Sequence, residues 1–266
     1  MRALLLVVLV TLACLGTKAQ STVYITDYVT HIALPEGSGT NAAGVAYHPD
    51  FKYLYFAMAG NADYPLYVYD GEGQYVDDVT GGIDFRGIWY NPDTKQLEAN
   101  AYNDDEVYTI TLNDKGIPTG VKGTGVKCAD AKIDNAAWAY VPGSKLIMAY
   151  NPDADRIVLC DRKTGVRKKS VPLAKVNDGA TVNSTTIMYT DIQGKELALV
   201  NVTDNALWLY DAKTGKHTET IMLPDLDSDF LILPERFNMA WTEDIIWVFD
   251  TEFRTWYAFQ YGVPAK

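Results

Sequence analysis

Histidine, cysteine and positive charge are all scarce in this chain. Its 266 residues include three histidines and three cysteines, and 23 Lys and Arg stand against 34 Asp and Glu. The net charge of -11 argues against a nucleic-acid backbone or an anionic membrane as partner, since both repel an acidic surface. His31, His48 and His217 lie far apart in the sequence, which argues against a histidine metal site or a Ser-His-Asp triad. There is no Gly-x-Ser-x-Gly elbow and no phosphate-cradling loop. Apolar residues nowhere recur with sustained helical periodicity. Beyond the first twenty residues, no run is long and apolar enough to cross a membrane.

What is present is globular: 48% apolar and 12% aromatic residues. Residues 1–19 read as an export signal. Arg2 gives a positive start, residues 3–15 an apolar core, and Thr17-Lys18-Ala19 a small-residue cleavage site. Residues 20–266 then form a single domain, expected to be secreted or periplasmic and monomeric. Losing Arg2 and Lys18 would take its charge to -13. Cys14 leaves with the signal, so Cys128 and Cys160 remain.

The mature chain repeats. A small-and-apolar run ending in an aromatic occurs five times, at Tyr47, Tyr90, Tyr140, Tyr189 and Trp241, with spacings of 43, 50, 49 and 52 residues. After each aromatic come a turn, an apolar strand, an Asn/Asp-rich turn and another strand. In the first four units a tight turn with glycine and a more polar strand follow. Five units of four short strands predict an all-β fold, a five-bladed β-propeller with four antiparallel strands per blade. The fifth unit runs out after three strands. An N-terminal strand around His31-Ile32-Ala33-Leu34 is expected to close the last blade and remove an open edge.

The cysteines follow from that placement. Cys128 comes after a fourth strand, near one face, and Cys160 ends a third strand running toward the other. Five residues of strand at ~3.3 Å each put about 16 Å between the two levels. A disulfide needs Cα atoms within roughly 7 Å, so two free, buried thiols are expected.

The third unit, from Leu146-Ile147-Met148-Ala149-Tyr150-Asn151-Pro152 to Cys160-Asp161, resembles the NHL and YVTN propeller repeats. The fourth, with Asp204-Asn205 and Asp211-Ala212-Lys213-Thr214-Gly215, is similar. The resemblance implies a propeller, although those families usually have six blades. It also implies that the loops entering the first strands, and those joining second to third strands, share one face around a central channel.

Six residues before each repeat aromatic stand Asn41, Asp84, Asp134, Asn183 and Glu235, an oxygen-bearing side chain in every unit. Asn135, Arg86 and Arg236 flank them. These eight residues form the candidate ligand-binding ring. Asp84, Asp134 and Glu235 are the candidate calcium ligands within it. Resemblance to exported calcium-dependent lactonases and to five-bladed arabinanases implies a second use. The same three carboxylates would then be catalytic, one protonating a leaving oxygen and one activating water. The Ala-Asp-Pro motif of the arabinanases is absent.

Other polar groups read as structural. Asn61, Asp63, Asn103, Asp104, Asp105, Asn151, Asp153, Asp155, Asp204, Asn205, Asp250 and Glu252 read as turn residues bonding their own backbone. Trp89, Trp138, Trp208 and Trp247 read as core. Arg162, Lys163, Arg167, Lys168 and Lys169 read as a solvated edge. The leading expectation is a propeller that binds a small molecule, glycan or protein on an acidic face. A hydrolase of lactones or glycosides is the alternative, and a protein-interaction scaffold the third.

Overall fold

A computed structural model describes residues 21–24, 29–36, 41–102, 106–128, 131, 135–176, 179–180, 182–223 and 238–262. The N-terminal segment holds β1 (Ser21–Tyr24) and β2 (Thr30–Ala33). Blade 1 is β3 (Asn41–His48), β4 (Tyr53–Ala59), β5 (Pro65–Asp70) and β6 (Tyr75–Thr80). Blade 2 is β7 (Phe85–Asn91), β8 (Gln96–Ala101), β9 (Glu106–Leu112) and β10 (Pro118–Lys127). Blade 3 is β11 (Ala139–Val141), β12 (Leu146–Asn151), β13 (Arg156–Asp161) and β14 (Arg167–Pro172). Blade 4 is β15 (Val182–Tyr189), β16 (Leu197–Asn201), β17 (Ala206–Tyr210) and β18 (His217–Met222). Blade 5 is β19 (Met239–Thr242), β20 (Ile245–Asp250) and β21 (Thr255–Gln260), completed by β2.

The five sheets form a closed ring. Each first strand contacts the first strands of both neighbouring blades, from β3 through β7, β11, β15 and β19 back to β3. Ring closure comes from β2, which pairs antiparallel with β21 from Thr30↔Ala258 to Ala33↔Thr255. This is the expected five-bladed propeller, with its first strands ending within one residue of the repeat aromatics.

The core consists of five seams between blades. Strand β4 shows why the inner strands are apolar on both sides. Leu54, Phe56 and Met58 pack into the seam with blade 5, while Tyr55, Ala57 and Ala59 pack into the seam with blade 2. A period of two with both faces covered gives a continuous apolar run. Trp256 and Phe56 are fully buried. Each large side chain so placed contributes about 1.5–3 kcal/mol.

Two features depart from expectation. Strand β1 pairs parallel with β18 and makes blade 4 five-stranded. It covers the outer edge of that blade.

The second departure is a correction: Cys128 and Cys160 are joined in a disulfide, with Cα atoms 5.8 Å apart. The expectation of free thiols treated the strands of a blade as parallel to one axis. Neighbouring strands are instead rotated by roughly 20–25° each, so an outer strand lies well across the inner one. The end of one outer strand therefore reaches the start of the next. At Gly165, before β14, a β-carbon would collide with the carbonyl of Lys127 at the end of β10. At Gly215, before β18, it would collide with that of Pro172 at the end of β14. The disulfide closes the seam between blades 2 and 3 at the same kind of meeting point, and both cysteines are buried.

Candidate functional site

The first strands begin around one end of the channel, here termed the upper face. In blades 1 and 2 they begin with a bulge. Ala42 pairs with Met58 and Gly44 with Ala57, leaving Ala43 as the extra residue; Phe85 pairs with Ala101 and Gly87 with Asn100, leaving Arg86. A bulge re-aims the side chain it carries. Here it sends a guanidinium across the top of the seam to blade 3.

Arg86 is almost wholly buried, and its contacts show how that charge is tolerated. Its Nη1 donates to Asp84 Oδ1 and, at 2.6 Å, to the Phe85 carbonyl. Its Nη2 donates to Asp84 Oδ2 at 3.1 Å, and its Nε donates to Asn135 Oδ1 at 2.6 Å. A two-pronged carboxylate pair is the geometry in which a buried arginine is best held. Asp84 also accepts from the Gly60 backbone N–H at 2.6 Å, so blades 1, 2 and 3 converge on this one clamp. The Tyr102 ring lies 4.5 Å from the guanidinium carbon, and Tyr102 is 41% exposed.

The strands beneath the clamp are tightly spaced. A β-carbon at Gly87 would meet the Trp138 carbonyl at 2.9 Å. Asn100, buried in β8, donates to the Ala136 carbonyl at 2.8 Å and accepts from the Trp138 N–H at 3.0 Å. Asn238 does similar work between blades 5 and 1, accepting from the Ala42 N–H at 3.0 Å. Each buried amide stitches two blades at the upper end of the channel.

Of the eight ring residues, the structure brings Asp84, Arg86 and Asn135 together. Asn41 is the first residue of β3 and half-buried. Asn183 is buried, and its Oδ1 accepts from both the N–H and the hydroxyl of Thr185 at 2.8 Å. Asp134, Glu235 and Arg236 lie outside the described residues. Among the described residues no three His, Cys, Asp or Glu side chains are grouped to hold a metal. Asp84, the described member of the proposed calcium set, has both oxygens on Arg86.

Sequence reasoning missed Tyr102, Asn100 and Asn238. The only signal for Asn100 was a polar residue inside an apolar strand. Tyr102 had none, since its role depends on Arg86 lying beneath it.

The described loops between second and third strands hold themselves together. Asn61 accepts from the Asp63 N–H, Asn201 from those of Thr203 and Asp204, and Asp250 from those of Glu252 and Phe253. Arg162 differs from its reading as part of a solvated edge. It donates through Nε and Nη2, both at 2.8 Å, to Glu98, which is 1% exposed and also accepts from Trp89 and Asn91. This network lies in the same seam as the disulfide.

Below the clamp runs a channel cavity of about 280 Å³, lined by small residues such as Ala43, Gly44 and Ala137. It extends to the lower face, where the five repeat aromatics end the first strands. Burial raises the phenol pKa of Tyr140 and Tyr189, and hydrogen bonds to Asp93 and Asp191 add to the effect. His48 and His217 are buried, and desolvation lowers the pKa of both.

No protein-family model matches the sequence, and no curated protein matches it. Solved structures do. A glutaminyl cyclase from Myxococcus xanthus superposes with a TM-score of 0.58 at 9% identity, over 91% of this chain and 98% of its own. The β-propeller domain of Cps50 (Swd1) from Myceliophteria thermophila gives a TM-score of 0.46 at 10% identity, over 85% of each chain. What this chain shares with the cyclase at that identity is its fold, a β-propeller.

Proposed function

We propose that this chain is an exported, monomeric propeller that binds an uncharged, hydroxyl-rich ligand, a glycan, on its upper face. The observation that carries this reading is the Arg86–Asp84 clamp under the exposed ring of Tyr102. Arg86 and Asp84 neutralise each other, so the site does not call for an ion. An aromatic ring with polar groups beside it suits a sugar, which offers C–H faces and hydroxyls together. Asp84 keeps part of its side chain exposed, 21%, for a ligand hydroxyl. A buried disulfide supports export, because such bonds persist in oxidising compartments. The test is a glycan array probed with the wild-type protein and Tyr102→Ala. Shared retention by both proteins, or none by either, would contradict the reading.

An enzymatic reading is prompted by the shared fold with a glutaminyl cyclase, which superposes over 91% of this chain. It is tested by incubating the protein with a glutaminyl peptide and following cyclisation by mass. Hydrolysis of lactones or glycosides through Asp84, Asp134 and Glu235 is the other enzymatic reading, and in it Asp84 stands paired with Arg86.

A further inference from the structure

We infer that the lower mouth of the channel is a second ligand site, one that takes a small organic amine with an apolar body. The inference is independent of the upper-face reading. It starts from the cavity of about 280 Å³, whose lining side chains are mostly apolar and whose lower rim is aromatic. The first strands have no strand beyond their inner edges, so their backbone groups also face this space.

Two charged residues, in two neighbouring blades, line the cavity. Two residues after the repeat aromatic, blades 1, 2 and 3 carry Pro49, Pro92 and Pro142, while blades 4 and 5 carry Asp191 and Glu243. All five line the cavity. Among the described residues neither carboxylate has a cationic partner, although five other ion pairs form. Asp191 accepts from the Tyr189 hydroxyl, at 3.1 Å, and from no other described residue. An acidic rim on an apolar, aromatic pocket is complementary to an ammonium group on a hydrocarbon. The cation pairs with the carboxylates and lies near Tyr189 and Trp241, while the body displaces water from the channel. The net charge of -11 draws a cation in the same direction.

Glu243 also sits where a different residue would fit the fold better. Thr242 pairs with Ile245, so Glu243 opens a two-residue hairpin, and its φ is 53°. The other four blades also place a non-glycine residue at positive φ in this turn, Lys52, Lys95, Lys145 and Asp191, and glycine is the residue that takes such a φ at least cost.

The experiment is calorimetric titration of the full chain with 2-phenylethylamine, and with 2-phenylethanol as the uncharged control. The amine is expected to bind and the alcohol not. Glu243→Gln should weaken the amine roughly tenfold, the loss of one charged hydrogen bond. Asp191→Asn should weaken it similarly. Glu243→Gly should lose the amine while raising the melting temperature, which a misfolded variant cannot do. Tyr102→Ala should leave amine binding unchanged. Equal binding of amine and alcohol, no binding of the amine, or unaltered binding by Glu243→Gln would overturn the inference.

Discussion

Cys128 and Cys160 are bonded across the seam between blades 2 and 3, and the chain between them spans 32 positions. Closing a loop of that length removes roughly 3–4 kcal/mol of unfolded-state entropy in the chain-entropy model. The double variant Cys128→Ser, Cys160→Ser should therefore melt about 10 °C lower. Differential scanning calorimetry of the two proteins checks the size. Non-reducing peptide mapping checks the bond itself.

In the same seam, Arg162 neutralises Glu98. Replacing it with methionine would leave a carboxylate that is 1% exposed without its cation. Such a loss costs about 3–5 kcal/mol. Adding Glu98→Met should recover much of it. Urea denaturation of the two singles and the double makes the test, and additive losses would show that the two residues are not coupled.

Acid should weaken the fold through two histidines. Burial depresses the pKa of His48 and His217 below the ordinary 6.5, partly offset by hydrogen bonding to the backbone of Lys95 and Glu219 respectively. Between the folded and unfolded values the unfolded chain binds more protons, so stability is full above about pH 6.5 and falls as pH drops below it. Asp161 and Asp211 contribute in a lower window. The Thr164 hydroxyl, with the backbone of Thr164 and Lys163, holds Asp161 below the ordinary 3.8; desolvation pushes Asp211 up, but the combined hydrogen bonds from Thr214 and Lys213 outweigh it and hold that carboxyl below 3.8 too. Their share is lost only as pH falls below that value. Urea midpoints from pH 7.5 to 5 should decline, and His48→Gln should flatten the decline.

Calcium should leave the melting temperature where it is. Saturation at a hundred times the dissociation constant would add about 2.7 kcal/mol, or several degrees at this size. With Asp84 held by Arg86, the site has its cation built in. A rise of several degrees in millimolar calcium, abolished by Asp84→Asn, would contradict this.

The fold was legible because propeller geometry is written locally. Tyr47, Tyr90, Tyr140, Tyr189 and Trp241 recur with the period of a blade, and the missing strand had a visible donor in His31-Ile32-Ala33. Strand β1 left no trace because four residues carry no period. The disulfide was misread because sheet twist, which brings Lys127 against Gly165, has no signature in spacing. At the upper face, the register of Asp84 was visible, but the bulge that re-aims Arg86 depends on pairing with β8. Only that pairing turns a row of polar residues into a clamp with Tyr102 above it.

The upper-face proposal is tested most directly by measuring the affinity of an array-selected glycan for the wild-type protein, Tyr102→Ala and Glu243→Gln by titration calorimetry. If the glycan stacks on Tyr102 above the Arg86–Asp84 clamp, Tyr102→Ala should bind at least about tenfold more weakly, the loss typical of a central aromatic contact. Glu243→Gln, at the opposite end of the channel, should bind like the wild type. Undiminished binding by Tyr102→Ala would contradict the account.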